Sequence, residues 1–366
     1  MNERRRLAPE VFALPVERMR EGYYTDAYFN FAKQVLEARD EHPRVLMQIF
    51  QKYEQAVLGG IDEAIAALKQ CAGRHEVRDG RRTWVDGWDE LEVRALYDGD
   101  DVAPWETVMT IEGDYSLFAH LETVYLGVLT RRTLISTNVR RVVEAAGDKP
   151  ILFFPARFDH YRVQAGDGWA AHIAGAIGVS TDEQASWWGG RALGTVPHAL
   201  IASYGGDTVA AARHFARWAP AEMNLTVLVD FDNDSVTTAL DVARALGPRL
   251  WGVRLDTSEA LVDRSLWDEL GDFAPAGVNP QLVRKVRAAL DEAGFDGVRI
   301  VVSGGFTVEK IRDFERNGVP VDAYGVGSSL IRGSNDFTAD IVLTDGEPSA
   351  KFGRRLRENP RLEPVA

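Results

Sequence analysis

The chain reads as an α/β protein, an α+β module followed by a series of parallel β/α units. Two observations predict this. From Ile151 onward, short apolar runs alternate with helix-patterned segments, the rhythm of parallel β/α units. Polar residues gather just past the end of each run, where a β/α barrel carries its working groups. The residues before Ile151 have a different texture, with short β-like pieces broken by Gly, Asp and Pro.

The elements follow in order. Glu21 to about Arg39 has helical spacing, with Tyr24, Tyr28, Phe31, Val35 and Leu36 near one face. Val45–Phe50 predicts a strand and the alanine-rich Ile61–Lys69 a helix. Thr83–Trp88, Leu91–Tyr97 and Thr107–Glu112 predict short strands between turn residues. A long helical stretch, about Ser116 to Ala146, leads out of the module. Six strands are then expected at Ile151–Ala156, Ala192–Val196, Leu225–Val229, Leu250–Leu255, Arg299–Val302 and Ala323–Val326. Between them lie helical patterns near Trp169–Ile177, Thr208–Trp218, Val236–Leu246, Gln281–Ala293 and Val308–Asn317. No Rossmann G-x-G-x-x-G opens the series.

Composition narrows the function classes. The 366 residues are 45% hydrophobic and 27% charged, the balance of a folded globular protein. The net charge of −13 makes general binding to nucleic acid or an anionic membrane unfavourable. An anionic ligand therefore needs a local cluster of positive groups. One cysteine, Cys71, permits neither an internal disulfide nor a cysteine zinc cluster. The basic start (Arg4, Arg5, Arg6) is followed by no apolar stretch, and no run approaches a membrane span. The expected location is the cytoplasm.

Chemistry concentrates at the strand ends. Ser303-Gly304-Gly305-Phe306 and Gly325-Val326-Gly327-Ser328-Ser329 follow the last two strands, where bare backbone N–H groups commonly build a phosphate site. The helix after Thr307 would add its positive end. The competing reading is a pair of tight turns that need glycine. Arg254 and Asp256 lie two apart and so share a strand face. Arg254 can grip a phosphate or carboxylate in two prongs, and Asp256 can accept from ribose hydroxyls or meet Mg²⁺. Alternatively they form a structural ion pair. His198, past a strand end, suits a base or a nucleophile, with Asp230 as the carboxylate that fixes its tautomer; a backbone-bonded histidine at a helix start is the other reading. Arg157 can bind an acidic substrate or pair with Asp159.

Taken together, these motifs resemble the nicotinate phosphoribosyltransferases, the quinolinate-type group, over nearly the whole chain. Thr25-Asp26-Ala27-Tyr28-Phe29 is similar to the family's amino-terminal Thr-Asp-x-Tyr element. Val108-Met109-Thr110-Ile111-Glu112-Gly113 is similar to the strand closing the family's first domain, with Leu121-Glu122-Thr123 after it. Gly194-Thr195-Val196-Pro197-His198, Gly252-Val253-Arg254-Leu255-Asp256 and the two glycine loops resemble the remaining family elements. The chain departs at Thr257-Ser258-Glu259, where many relatives have Ser-Gly-Asp, and it has no carboxy-terminal cysteine cluster for zinc.

The resemblance implies an α+β sandwich domain followed by an irregular α/β barrel. The expected domains are 1–118, a helical connection at 119–148, a barrel at 149–345 and a tail at 346–366. It also implies a reaction: nicotinate attacks C1 of 5-phosphoribosyl 1-diphosphate (PRPP), giving nicotinate mononucleotide and pyrophosphate. ATP hydrolysis is coupled through a phosphohistidine, with Mg²⁺ on the diphosphate. Carried over by residue, His198 is the phosphorylated histidine and Asp230 its orienting carboxylate. Tyr28 and Asp26 reach the pyridine ring, typically in the partner subunit's site, which implies a homodimer at least. Arg157 lies beside the substrate, and Arg254 and Asp256 beside ribose and phosphate. Ser303, Gly304, Gly305, Gly325, Gly327 and Ser328 cradle the 5′-phosphate. Ser180 and Thr181 lie near the nicotinate carboxylate. Nicotinamide and quinolinate are the rival bases, with Asp182 as an acceptor for an amide. A different sugar-phosphate barrel enzyme is the more distant alternative.

Overall fold

The computed structural model describes residues 5–271 and 273–366; Arg4 of the basic start lies outside them. The described chain divides into two compact units. One comprises the residues up to Thr137 together with Gly333–Ala366, and the other is Asn138–Arg332.

The first unit is built on an antiparallel sheet. Its strands run in the order Glu347–Pro348, Phe337–Thr344, Arg44–Gln51, Thr107–Asp114, Glu92–Ala95, Glu363–Pro364. Arg44–Gln51 is central because its apolar residues are buried on both faces, Met47, Ile49 and Phe50 almost completely. The helix Ile61–Cys71 packs Ile61, Ile65 and Leu68 into the same core, joined by Phe118, Leu121 and Tyr125. A hairpin, Gly73–Arg78 with Arg81–Asp86, lies apart from the main sheet.

The second unit holds the parallel sheet. We label its strands β1 (Ile151–Phe153), β2 (Gly178–Val179), β3 (Thr226–Leu228), β4 (Gly252–Leu255), β5 (Arg299–Val302) and β6 (Ala323–Val326). Their spatial order is β3-β4-β5-β6-β1-β2, every pair parallel. The gap between β2 and β3 is bridged by an irregular segment. Leu193 N–H donates to the Val179 carbonyl at 2.8 Å, and Val196 N–H donates to that of Thr226 at 2.9 Å. Backbone hydrogen bonds thus pass around the whole ring. The expected irregular barrel is present, covered by helices that include Thr208–Trp218, Ser235–Leu246, Pro280–Glu292 and Val308–Arg316.

Several expectations need correction. Ala192–Val196 is no strand; it makes one isolated bridge, Val196 to Val227, because Gly194 and Pro197 confine its pairing. The strand in that part of the ring is Gly178–Val179, too short to show a periodicity. The helix expected from Glu21 begins at Ala27, and the one expected from Ser116 begins at Glu122 after two 3₁₀ turns. The boundary between units falls inside helix Glu122–Ala146, not at 118 or 148. Nor does the barrel reach 345, since Phe337–Thr344 pairs with Arg44–Gln51 of the first unit. The segment 346–366 is no tail: Glu363–Pro364 pairs with Glu92–Ala95, and Leu362 enters the first core. Local sequence carries no mark of a pairing that spans nearly 300 residues.

Candidate active site

The carboxyl ends of the barrel strands converge on a cavity of about 550 Å³. Arg157, Ser180, Arg254, Asp256, Ser303, Gly304, Gly305, Gly325, Gly327 and Ser328, all expected from sequence, line it. So do Phe154, Phe158, Glu259 and Arg332, which were not anticipated.

One polar network orders its floor. Alternation places Arg254 on the lumen face of β4, where its Nε donates to Ser303 Oγ at 2.8 Å. Ser303 Oγ donates in turn to Asp256 Oδ1 at 2.6 Å, and Arg254 lies 3.4 Å from the same carboxylate. A longer bond of 3.5 Å joins Arg254 to Thr195, and its guanidinium stands 5.1 Å over the Phe154 ring. Ser303 is therefore the pivot between the cation and the carboxylate. Pairing with Asp256 does not exhaust Arg254, which keeps donors for a ligand.

The glycine loops differ in why they need glycine. Gly304 and Gly305 have φ of +84° and +67°, a conformation side chains disfavour. A Cβ on Gly305 would also stand 1.9 Å from Glu259 Oε1. Gly325 and Gly327 have no positive φ, although Gly327, at φ −111° and ψ −115°, lies outside the helical and extended regions. Both lie under aromatic rings, where added Cβ atoms would approach Phe154 to 2.9 Å and Phe158 to 3.0 Å. The tight-turn reading thus holds for the first loop alone. The helix Val308–Arg316 starts at Thr307, whose hydroxyl accepts from Lys310 N–H, so its positive end adjoins Gly304 and Gly305. Lys310 lies behind this loop, its amine 4.6 Å over the Phe306 ring, and burial holds its pKa below the usual lysine value.

His198 and Asp230 form the expected pair. His198 Nε2 meets Asp230 Oδ1 at 2.9 Å, so the histidine is not tied to backbone. The carboxylate is almost entirely buried while the ring is 41% exposed. The hydrogen bond to Asp230 raises the His198 pKa, outweighing the lowering effect of burial; Asp256 adds to the rise and Arg254 opposes it. With Nε2 donating to Asp230, the neutral ring keeps its lone pair on Nδ1.

Arg157 makes no ion pair with Asp159. Its contact is the Phe158 ring, 5.3 Å away, so its guanidinium is available to a ligand. Ser180 reaches the cavity, although its hydroxyl donates to Gln184 Oε1 at 3.1 Å. Thr181 does not line it. The Thr181 hydroxyl accepts from Gln184 N–H and caps the helix Asp182–Ala185, a structural task that corrects its expected place at the substrate. Asp182 accepts from Ala192 N–H at 2.9 Å and is also absent from the cavity wall. Tyr28 and Asp26 belong to the first unit. There Asp26 N–H donates to Thr123 Oγ1, whose hydroxyl donates back to Asp26 Oδ2, each at 3.0 Å. Thr25 donates to the His120 carbonyl.

The missed residues had faint signals. Phe154 and Phe158 flank Arg157 and read as ordinary apolar positions. Glu259 stood in the stretch that departs from the family pattern. No group of three or more His, Cys, Asp or Glu residues among the described ones is arranged to hold a metal. No helix among them is long and apolar enough to cross a membrane.

Comparison with known proteins agrees with this geometry. Residues 89–133 match the family model for the quinolinate phosphoribosyl transferase amino-terminal domain. A nicotinate phosphoribosyltransferase of Mycobacterium tuberculosis is 32% identical over 71% of this chain and 55% of its own length. The chain thus spans little more than half of that curated relative. The solved nicotinate-nucleotide pyrophosphorylase of Pyrococcus furiosus is 32% identical, with a TM-score of 0.77 over 95% of this chain and 84% of that one. Human nicotinic acid phosphoribosyltransferase shares the fold at 18% identity, with a TM-score of 0.64 over 90% of this chain and 77% of the human one.

Proposed function

The chain belongs to the nicotinate phosphoribosyltransferase family, in its quinolinate-type group, and we propose that it transfers the 5-phosphoribosyl group of PRPP to nicotinate. The products are nicotinate mononucleotide and pyrophosphate. The observation that carries the reading is one cavity in which Arg157, free of ion pairs among the described residues, the Arg254–Ser303–Asp256 network and two glycine loops face one another.

The chemistry follows from charge. The pyridine nitrogen attacks C1 of the ribose as the bond to diphosphate breaks, so positive charge develops at C1 and negative charge on the leaving group. Such a reaction needs anion clamps and orientation more than a strong base. Arg157 supplies donors for the nicotinate carboxylate, and Arg254 neutralises a substrate anion. Asp256 accepts from ribose hydroxyls. Gly304, Gly305, Gly327 and Ser328 hold the 5′-phosphate. Asp182, the acceptor that would have favoured an amide, does not line the cavity, which supports nicotinate over nicotinamide.

Asp256 and Glu259, two carboxylates on the same wall, fit Mg²⁺ carried on a diphosphate, since this ion usually takes one or two carboxylates plus phosphate oxygens. When bound it neutralises charge on the leaving group. ATP coupling passes through His198: Nδ1 attacks the γ-phosphorus as its bond to the β,γ-bridging oxygen breaks and ADP leaves. Asp230 stabilises the ring as it gains the phosphoryl group, and water later takes that group as inorganic phosphate. A homodimer places Tyr28 and Asp26 at a neighbouring site. The helix Ala27–Arg39 supports this by exposing Tyr28, Phe31 and Val35 along one face. The proposed place of work is the cytoplasm.

The test offers nicotinate, nicotinamide and quinolinate separately with PRPP and Mg²⁺, each with and without ATP, and measures mononucleotide. Product from nicotinate, enhanced by ATP, is expected. Product from another base alone reassigns the pocket around Arg157, and no product from any of them defeats the reading.

A further inference from the structure

We propose that the opposite end of the barrel holds a second ligand site, one that takes a small aromatic monocarboxylate. The proposal concerns a cavity apart from the transfer chemistry. Barrel interiors are ordinarily filled by layers of side chains, but here a cavity of about 710 Å³ opens at the amino ends of the strands. It is larger than the catalytic one, and the inward positions explain it. β6 presents Ala323 and then Gly325 to the lumen, and β3 presents Thr226, so bulk is missing from two of the six strands.

The walls indicate the ligand. Leu152, Ile177, Met223, Trp251 and Val301 make most of the surface apolar, which suits a planar hydrocarbon ring. Two guanidinium groups stand among them. Arg299 is already paired with Asp322 at 2.8 Å. Arg191 and Glu222, both exposed to solvent on this lining, have no ion pair or hydrogen bond among the described residues. Beside an apolar chamber, Arg191 is complementary to one carboxylate on an aromatic body, and Glu222 on the same lining disfavours a second negative charge. Phe154, Leu193 and Thr195 line both cavities and so form the wall between them.

The experiment is calorimetric titration with 2-naphthoate up to millimolar concentration, on the full chain and three variants whose folding is checked by thermal melting. Arg191→Ala removes the exposed cation and is expected to weaken binding about tenfold. Ala323→Leu fills the lumen and is expected to abolish binding. Arg157→Ala, at the catalytic end, is expected to leave affinity unchanged. Absence of binding to the unaltered chain overturns the proposal. So does an affinity that Arg191→Ala leaves intact, and so does loss of binding in Arg157→Ala, which would place the naphthoate in the catalytic cavity. Should Ala323→Leu fail to fold, Arg191→Ala and Arg157→Ala still decide the matter.

Discussion

His198 and His120 are the same residue type in opposite circumstances. His198 stands at the rim of the barrel, 41% exposed, with an almost buried carboxylate against one nitrogen. His120 is 1% exposed in the first unit; its Nε2 donates to the Cys71 carbonyl at 3.0 Å, and its Nδ1 has no partner. The first has its pKa raised by Asp230. The second is pushed down to about 3, by burial above all and then by the nearby Lys33 ammonium, whose own charge is bound to the Gly73 and Ser116 carbonyls. The carboxylate makes one ring more basic, while dry packing keeps the other a neutral structural strut. A histidine's role is decided by what faces each nitrogen.

The sharpest break lies at the floor of the mouth. Arg254→Ala removes the cation shared by Asp256 and Ser303 and proposed to meet the substrate, and kcat/KM for transfer is expected to fall about 10³-fold, within the range for losing one preorganised donor. Steady-state kinetics check this, with thermal melting showing that the fold persists. Next comes the buried histidine. His120→Ala should cost about 3 kcal/mol of stability in chemical denaturation, through the cavity and the lost hydrogen bond, while kcat per folded molecule stays unchanged. A loss of kcat without a loss of stability would erase the contrast between the two rings.

His198→Ala should abolish stimulation by ATP and spare most of the basal transfer. Equal loss of both would mean that the ring acts directly on the reaction or is purely structural. The smallest effects are in pH dependence, and the two signs are opposite. His120 titrates lower folded than unfolded, so its contribution is present above the ordinary value of 6.5 and fades as pH falls toward 3, with a slope of about 1.4 kcal/mol per pH unit. His198 titrates higher folded than unfolded, so its contribution is present below 6.5 and disappears as pH rises through the folded pKa. Imidazole NMR should place the His198 titration above 6.5, and Asp230→Asn should bring it down.

The comparison also shows which features could be read early. The β/α alternation located β1, β3, β4, β5 and β6 to within three residues at each end, because buried parallel strands are written as apolar runs. Strand-end chemistry was legible for the same reason: alternation commits Arg254 and Asp256 to one face before any tertiary contact is known. His198 and Asp230 were matched across 32 residues because consecutive parallel units bring their ends together. Glu259 and Phe154 escaped notice, since their part depends on the turn at Gly305 and the bare backbone of Gly325.

By itself, then, the chain's local pattern determined the class of fold, the strand ends that carry chemistry and most of the groups found there. The tertiary structure alone decided that Thr181 caps a helix, that residues 192–196 close the ring through two backbone hydrogen bonds, and that Phe337–Thr344 returns to the first sheet. The division has a physical cause. Periodicity and turn chemistry act over a few neighbouring residues, whereas capping, ring closure and strand pairing depend on which polar groups of distant segments the packed core leaves to satisfy one another.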